Sequence, residues 1–253
     1  MLKKLLKYDL KYVYKVLIVF YMLSIFFAVL TRCTLYNNSV AIIKIIGQVC
    51  SGITISMIIN IIINNVMRLW ARFYNNFYKD ESYLTHTLPI GKNKLFLSKF
   101  LNEIISILVS VVVIILTIFI AYYTKDNYNL LINTVSFKTL IFVVLLSFLE
   151  MVLLVISGYF GIIIGQTKND KKLAISILIG FISYIINQVL FVLVVYIVGL
   201  FNNDILLIFK NSNITDFNVI NSLMLIGSIF YIFLVIIYYY LCIYIFNKGV
   251  NVE

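Results

Sequence analysis

Six long apolar runs dominate the chain: Val13–Thr31, Ile45–Met67, Phe100–Tyr123, Leu140–Gly165, Leu173–Leu200 and Ser222–Phe246. They are 19 to 28 residues long, and a helix needs about 20 mostly apolar residues to cross hydrocarbon about 30 Å thick. Lipid offers no water to satisfy backbone N–H and C=O groups, so only helices and closed barrels span it. Barrel strands alternate apolar and polar over about 10 residues, whereas these runs are apolar all round. The expectation is an all-α integral membrane protein with six transmembrane helices in a single domain over 1–253. Composition excludes the other classes. At 63% hydrophobic and 12% charged the chain is far from a soluble domain, which is about 25% charged, and too apolar for disorder. One proline and ten glycines exclude collagen-like and proline-rich chains.

The net charge of +10 would suggest nucleic acid in a soluble protein. Its distribution gives a different meaning. With the N-terminus placed inside, fifteen of the 20 Lys and Arg residues fall on the inner side. They are concentrated in 1–15 and in Arg68–Lys99; Arg32, Lys44, Lys125, Lys138 and Lys210 fall outside. The positive-inside rule then puts both termini in the cytoplasm, with short outer loops. The expected contacts are membrane lipid and other proteins, with no nucleic acid. No A-x-A-like site closes the first apolar run before Arg32, so it reads as a retained span and not a cleaved signal.

Two inner segments draw attention. Over 1–15, Lys3, Lys4, Lys7, Lys11 and Lys15 share one helical arc, and Leu2, Leu5, Leu6, Leu10 and Val13 the opposite one. This fits an amphipathic interfacial elbow helix with lysines toward anionic headgroups, or a plain positive-inside anchor. In the loop 68–99, Trp70, Phe73, Tyr74, Phe77 and Tyr78 recur at helical spacing, so the second span is expected to continue as a helix beyond the lipid. Asp80-Glu81-Ser82 is a helix-start signal, and Pro89 and Gly91 end the short segment that follows. A short amphipathic helix bounded by turns suits docking into a groove of another protein; a basic interfacial loop without a partner is the alternative.

Asp80-Glu81-Ser82-Tyr83-Leu84-Thr85-His86-Thr87-Leu88-Pro89-Ile90, followed by Lys94-Leu95-Phe96-Leu97-Ser98-Lys99, resembles the loop between spans two and three of bacterial ABC type-2 transporter permeases. Ser82 stands where the family has Gly, and Ile90 where it has Val. The tail Asn247-Lys248-Gly249-Val250-Asn251-Val252-Glu253 is similar to the family's short basic tail, with fewer basic residues. The resemblance implies a single permease domain in the bacterial cytoplasmic membrane, paired with an identical or related second permease. Cytoplasmic ABC ATPase subunits would bind ATP and Mg and drive export of a hydrophobic or amphipathic substrate (a peptide, an antibiotic or a lipid-like molecule), as in antimicrobial-peptide resistance. By position, Asp80, Glu81, Tyr83, Leu84, His86, Leu88 and Pro89 would form the coupling helix that fits the ATPase. The sequence has no G-x-x-x-x-G-K-[ST] phosphate loop, so this chain is expected to bind no cofactor and to hydrolyse no ATP itself.

Ionisable and amide residues at membrane depth are functional candidates. Glu150, Asn60, Asn64, Asn187 and Gln188 are candidates for a substrate path or gate, with interhelix hydrogen bonding as the structural alternative. Glu103 lies four residues after Lys99 and is expected to pair with it. Ser157, Gly161 and Gly165 form a small-residue stripe for close helix packing, either within the chain or against a second permease. His86 is the only histidine and the three cysteines are scattered, so no metal site is expected. Three other classes fit less well. An ion-coupled secondary transporter should show repeats and broken helices. An intramembrane enzyme lacks an acid–base set. A non-transporting immunity or scaffold protein is compatible with the composition.

Overall fold

The computed structural model describes residues 2–35, 41–79, 81–124, 127, 135–168, 170–201, 205 and 217–248. Seven helices run through them: α1 (Leu2–Leu35), α2 (Ala41–Tyr78), α3 (Ser82–His86), α4 (Lys92–Tyr122), α5 (Phe137–Gln166), α6 (Lys172–Phe201) and α7 (Phe217–Asn247). Among the described residues six of these are long and apolar enough to cross a membrane, at 30 to 37 residues each. The chain is a multi-pass, all-α membrane protein. Five of the six expected spans lie inside one of these helices, and the third, Phe100–Tyr123, overruns α4 by one residue. At 1.5 Å per residue a 30-residue helix is about 45 Å long, well beyond about 30 Å of hydrocarbon, so each of these six helices must tilt or project past it.

Exposure supports the same solvent. The outward positions are apolar: Ile18, Met22 and Phe26 on α1, Ile55, Ile59 and Ile63 on α2, and Val112, Ile115 and Phe119 on α4. Many of the polar residues lie inside, among them Ser24, Thr54, Asn65, Ser106 and Thr117. A water-soluble domain rarely shows such continuous apolar surface.

Two local starts are explained by side chains. Ser136 caps α5, its Oγ accepting from the Thr139 N–H at 3.2 Å. Lys171, just before α6, takes φ of 48°, a left-handed conformation that favours glycine. At the N-terminus the structure differs from the expectation of a separate elbow: Leu2–Leu35 is one uninterrupted helix. No Gly or Pro interrupts it, and its buried stripe of Asp9, Val13, Leu17, Tyr21, Ser24, Ala28 and Thr31 runs without a break, so nothing in the sequence turns the chain at residue 15.

The chain forms two compact units. Unit 1 comprises Met1–Arg72 and Ser98–Leu131, and unit 2 comprises Phe73–Leu97 and Ile132–Glu253. Unit 2 packs α5 against α6 and α7. The closest approach is α5 on α6: a Cβ at Gly161 would stand 2.6 Å from the Ser176 carbonyl oxygen and 2.7 Å from the Gly180 Cα. One at Gly165 would collide with Ser176. Of the two readings of the small-residue stripe, the structure realises the contact within the chain.

Candidate docking loop and buried polar clusters

The loop of unit 2 is built on aromatic packing. Phe73 and Phe77, one turn apart on α2, are fully buried. Phe73 stacks on Tyr159 of α5 at 4.2 Å between ring centroids, and Phe77 meets Phe246 of α7 edge-on at 4.8 Å. This holds the end of α2 straight to Tyr78, as its aromatic spacing predicts. The chain then turns, with Ser82 N–H donating to the Lys79 carbonyl at 2.9 Å, and starts α3. Glu81 occupies the cap position without a side-chain capping bond. Its carbonyl accepts from the Thr85 backbone N–H and hydroxyl. Asp80 lies outside the described residues.

The faces of α3 are unlike. Ser82 and Thr85 are buried beneath it, whereas Tyr83, Leu84 and Leu88 are 77%, 68% and 41% exposed. His86 sits over the Phe246 ring and places Nε2 3.3 Å from the Phe77 carbonyl oxygen. Pro89 is exposed in the turn that follows, and Ile90 N–H closes it on the Leu88 carbonyl at 2.7 Å. Asn247 at the end of α7 donates to Asn93 at the start of α4 at 2.8 Å. The result is a short helix anchored from below, presenting apolar side chains between Lys79 on one side and Lys92 and Lys94 on the other, all three exposed.

Unit 2 also gathers part of the membrane-depth set. Tyr184 Oη and Gln188 Nε2, one turn apart on α6, donate to Glu150 Oε1 of α5 at 3.3 and 3.5 Å. Asn187 faces another way and accepts from Tyr238 Oη of α7 at 3.0 Å. Asn60 and Asn64 belong to unit 1, and each donates to a carbonyl one turn back on α2. Within unit 2, Glu150 and Gln188 meet, whereas Asn187 bonds to Tyr238.

Unit 1 contains polar clusters that the sequence reading missed. Asp9 of α1 is 1% exposed and accepts on both oxygens, from Arg72 Nε of α2 at 2.9 Å and Lys99 Nζ of α4 at 2.7 Å. The Arg72 guanidinium also lies 4.8 Å from the Tyr12 ring centroid. Further along, Asn65 donates to the Ser106 carbonyl and Ser110 Oγ, accepts from Ser106 Oγ at 2.7 Å, and Ser110 shares a hydrogen bond with Tyr21. Ser24 meets Thr117, and Thr31 meets Thr54. The expected Lys99–Glu103 pair is corrected: Lys99 is buried and bonded to Asp9, and neither oxygen of Glu103 has a hydrogen-bond partner. Asp9 is held through its other oxygen by Arg72, so Lys99 meets a carboxylate already fixed in place. Asp9 was legible in principle: at 100° per residue it falls in the centre of the apolar arc of 1–15, opposite the lysines.

No family model, curated protein or solved structure matches the chain.

Proposed function

We propose that this chain is the transmembrane permease subunit of an ATP-binding cassette exporter in the bacterial cytoplasmic membrane. Separate cytoplasmic ATPase subunits drive it through the loop 79–91, and a second permease completes the path. The observation that carries this reading is the two-faced α3. Ser82 and Thr85 are buried and His86 reaches the Phe77 carbonyl and the Phe246 ring, while Tyr83, Leu84 and Leu88 stand exposed in a segment flanked by lysines. Apolar side chains on a short helix at the edge of a membrane domain suit insertion into a groove. A helix anchored below by aromatic packing can pass a push to α5 and α7. Of the residues that resemble the permease loop, Tyr83, Leu84, His86, Leu88 and Pro89 stand exposed.

The cargo on this reading is hydrophobic or amphipathic, with the Glu150, Tyr184 and Gln188 group offering a polar contact at membrane depth. Chemistry at ATP belongs to the partner, since the sequence carries no phosphate loop.

The test is co-purification with an ABC ATPase subunit expressed alongside, comparing the native chain with one in which 81–88 is replaced by Gly and Ser. The expected result is an ATPase-containing complex for the native chain and its loss in the replaced chain, with unchanged thermal stability of the membrane domain. A complex that survives the replacement contradicts the proposal.

A further inference from the structure

Unit 1 buries one carboxyl that nothing above uses. Glu103 has no exposed surface, and both its oxygens lack hydrogen-bond partners. Its place on α4 is particular. Positions 99, 103, 106, 110 and 117 share one helix face, and every other member is engaged: Lys99 with Asp9, Ser106 and Ser110 with Asn65, Thr117 with Ser24. Among the described residues at these five positions, Glu103 is the member without a hydrogen-bond partner in a polar ladder that joins α1, α2 and α4. The titratable and charged groups along this stretch are Asp9, Tyr14 and Tyr21 on α1, Arg68 and Arg72 on α2, and Lys99 on α4. Tyr14 Oη and Arg68 Nε are also buried without hydrogen-bond partners.

Charge bookkeeping sharpens the point. Asp9 is shared by two cations, Arg72 and Lys99. Glu103 stands one turn from Lys99, within reach of its long side chain. A carboxylate removed from water with no donor to it is costly, whereas one that accepts from an ammonium is compensated.

We propose that Glu103 is a proton-binding site inside the membrane domain and the second seat of the Lys99 ammonium. In the arrangement described, Lys99 sits on Asp9 and Glu103 carries a proton. When Asp9 is withdrawn, the Glu103 O–H bond breaks, its electron pair stays on the carboxylate, and the proton leaves to water. Lys99 remains an ammonium throughout and transfers its N–H···O hydrogen bond from Asp9 Oδ2 to Glu103, while Asp9 keeps Arg72. One proton is thus exchanged for one change of lysine partner. This inference rests on unit 1 alone and does not depend on the docking of the loop.

The test is infrared spectroscopy of the full chain in lipid nanodiscs at neutral pH, reading the C=O stretching band of protonated carboxyl groups. The native chain should show a band that Glu103→Gln removes and Glu150→Gln leaves in place. Asp9→Asn should remove the same band, because the released Lys99 moves to Glu103. Absence of any Glu103-dependent band in the native chain overturns the proton site, and a band that persists in Asp9→Asn overturns the exchange. If Glu103→Gln does not fold, Glu103→Asp keeps the carboxyl and assigns the band by shifting it.

Discussion

Lys99 donates to Asp9 at 2.7 Å across 90 residues of sequence, and each side chain is at most 2% exposed. With Arg72 on the second oxygen, this contact ties the start of α1 to the end of the unit 1 portion of α2 and the start of that of α4. Removing one member of a buried pair leaves an uncompensated charge, at about 3–5 kcal/mol. Asp9→Ala, which strands Arg72 and leaves Lys99 only the Glu103 carboxylate, should therefore lower the thermal unfolding temperature of the purified chain more than any single substitution of an N-terminal lysine. Arg72→Ala should cost less, because Arg72 is 13% exposed and keeps access to water.

Helix packing in unit 2 gives a sharper structural test. A side chain at Gly161 or Gly165 would meet α6 backbone, which cannot give way as a flexible side chain could. Gly161→Ala and Gly165→Ala should each destabilise by about 1–3 kcal/mol from overpacking. Gly52→Ala, with nothing within 4 Å of the added carbon, should be neutral or stabilising by up to about 1 kcal/mol through helix propensity. Thermal unfolding in one detergent compares all three.

The docking loop separates stability from function. Tyr83, Leu84 and Leu88 are exposed, so the triple serine variant should unfold at the native temperature while losing ATPase association. Phe77→Ala empties a fully buried site beside Phe73 and Phe246 and should cost about 3–5 kcal/mol. Equal loss of stability in both variants would contradict this division of the loop into anchor and contact.

Much of the architecture was readable from the sequence because lipid leaves few choices. Apolar runs of sufficient length must become helices, and the aromatic spacing from Trp70 to Tyr78 carries α2 on to Tyr78 as expected. The N-terminal segment was not decided by sequence because amphipathicity over 1–15 fits an interfacial helix and the first turns of a long transmembrane one equally well. What distinguishes them is Asp9, whose partners lie 63 and 90 residues away and cannot be seen locally. The pairing of Lys99 with Glu103 failed for the same reason: helical spacing shows which residues can meet on one helix, and not which partner from another helix competes. The amides divided similarly. Asn65, which adjoins Asn64, is the one that reaches across to α4, because it alone of the three falls on the inner face of α2.

Asn65 accordingly offers a calibrated prediction. Interhelix hydrogen bonds in membranes average about 0.6 kcal/mol, with a maximum near 1.7. Asn65→Ala removes three of them at once and strands Ser106 and Ser110, so it should exceed Asn60→Ala and Asn64→Ala, whose bonds stay within α2. Chemical unfolding of the three variants ranks them; an equal ranking would show that the cluster with Ser106 and Ser110 adds no stability.

The most direct test of the proposed function is site-specific photo-crosslinking in native bacterial membranes. A photoreactive amino acid replaces Leu84 in the full chain, and a second chain carries it at Ile59, an exposed position on α2. The expected result is a covalent adduct at Leu84, but not at Ile59, with a protein whose peptides contain a phosphate-loop ATPase sequence. No ATPase adduct at Leu84, or equal labelling from both positions, would contradict the assignment of this chain as an ATP-driven permease subunit.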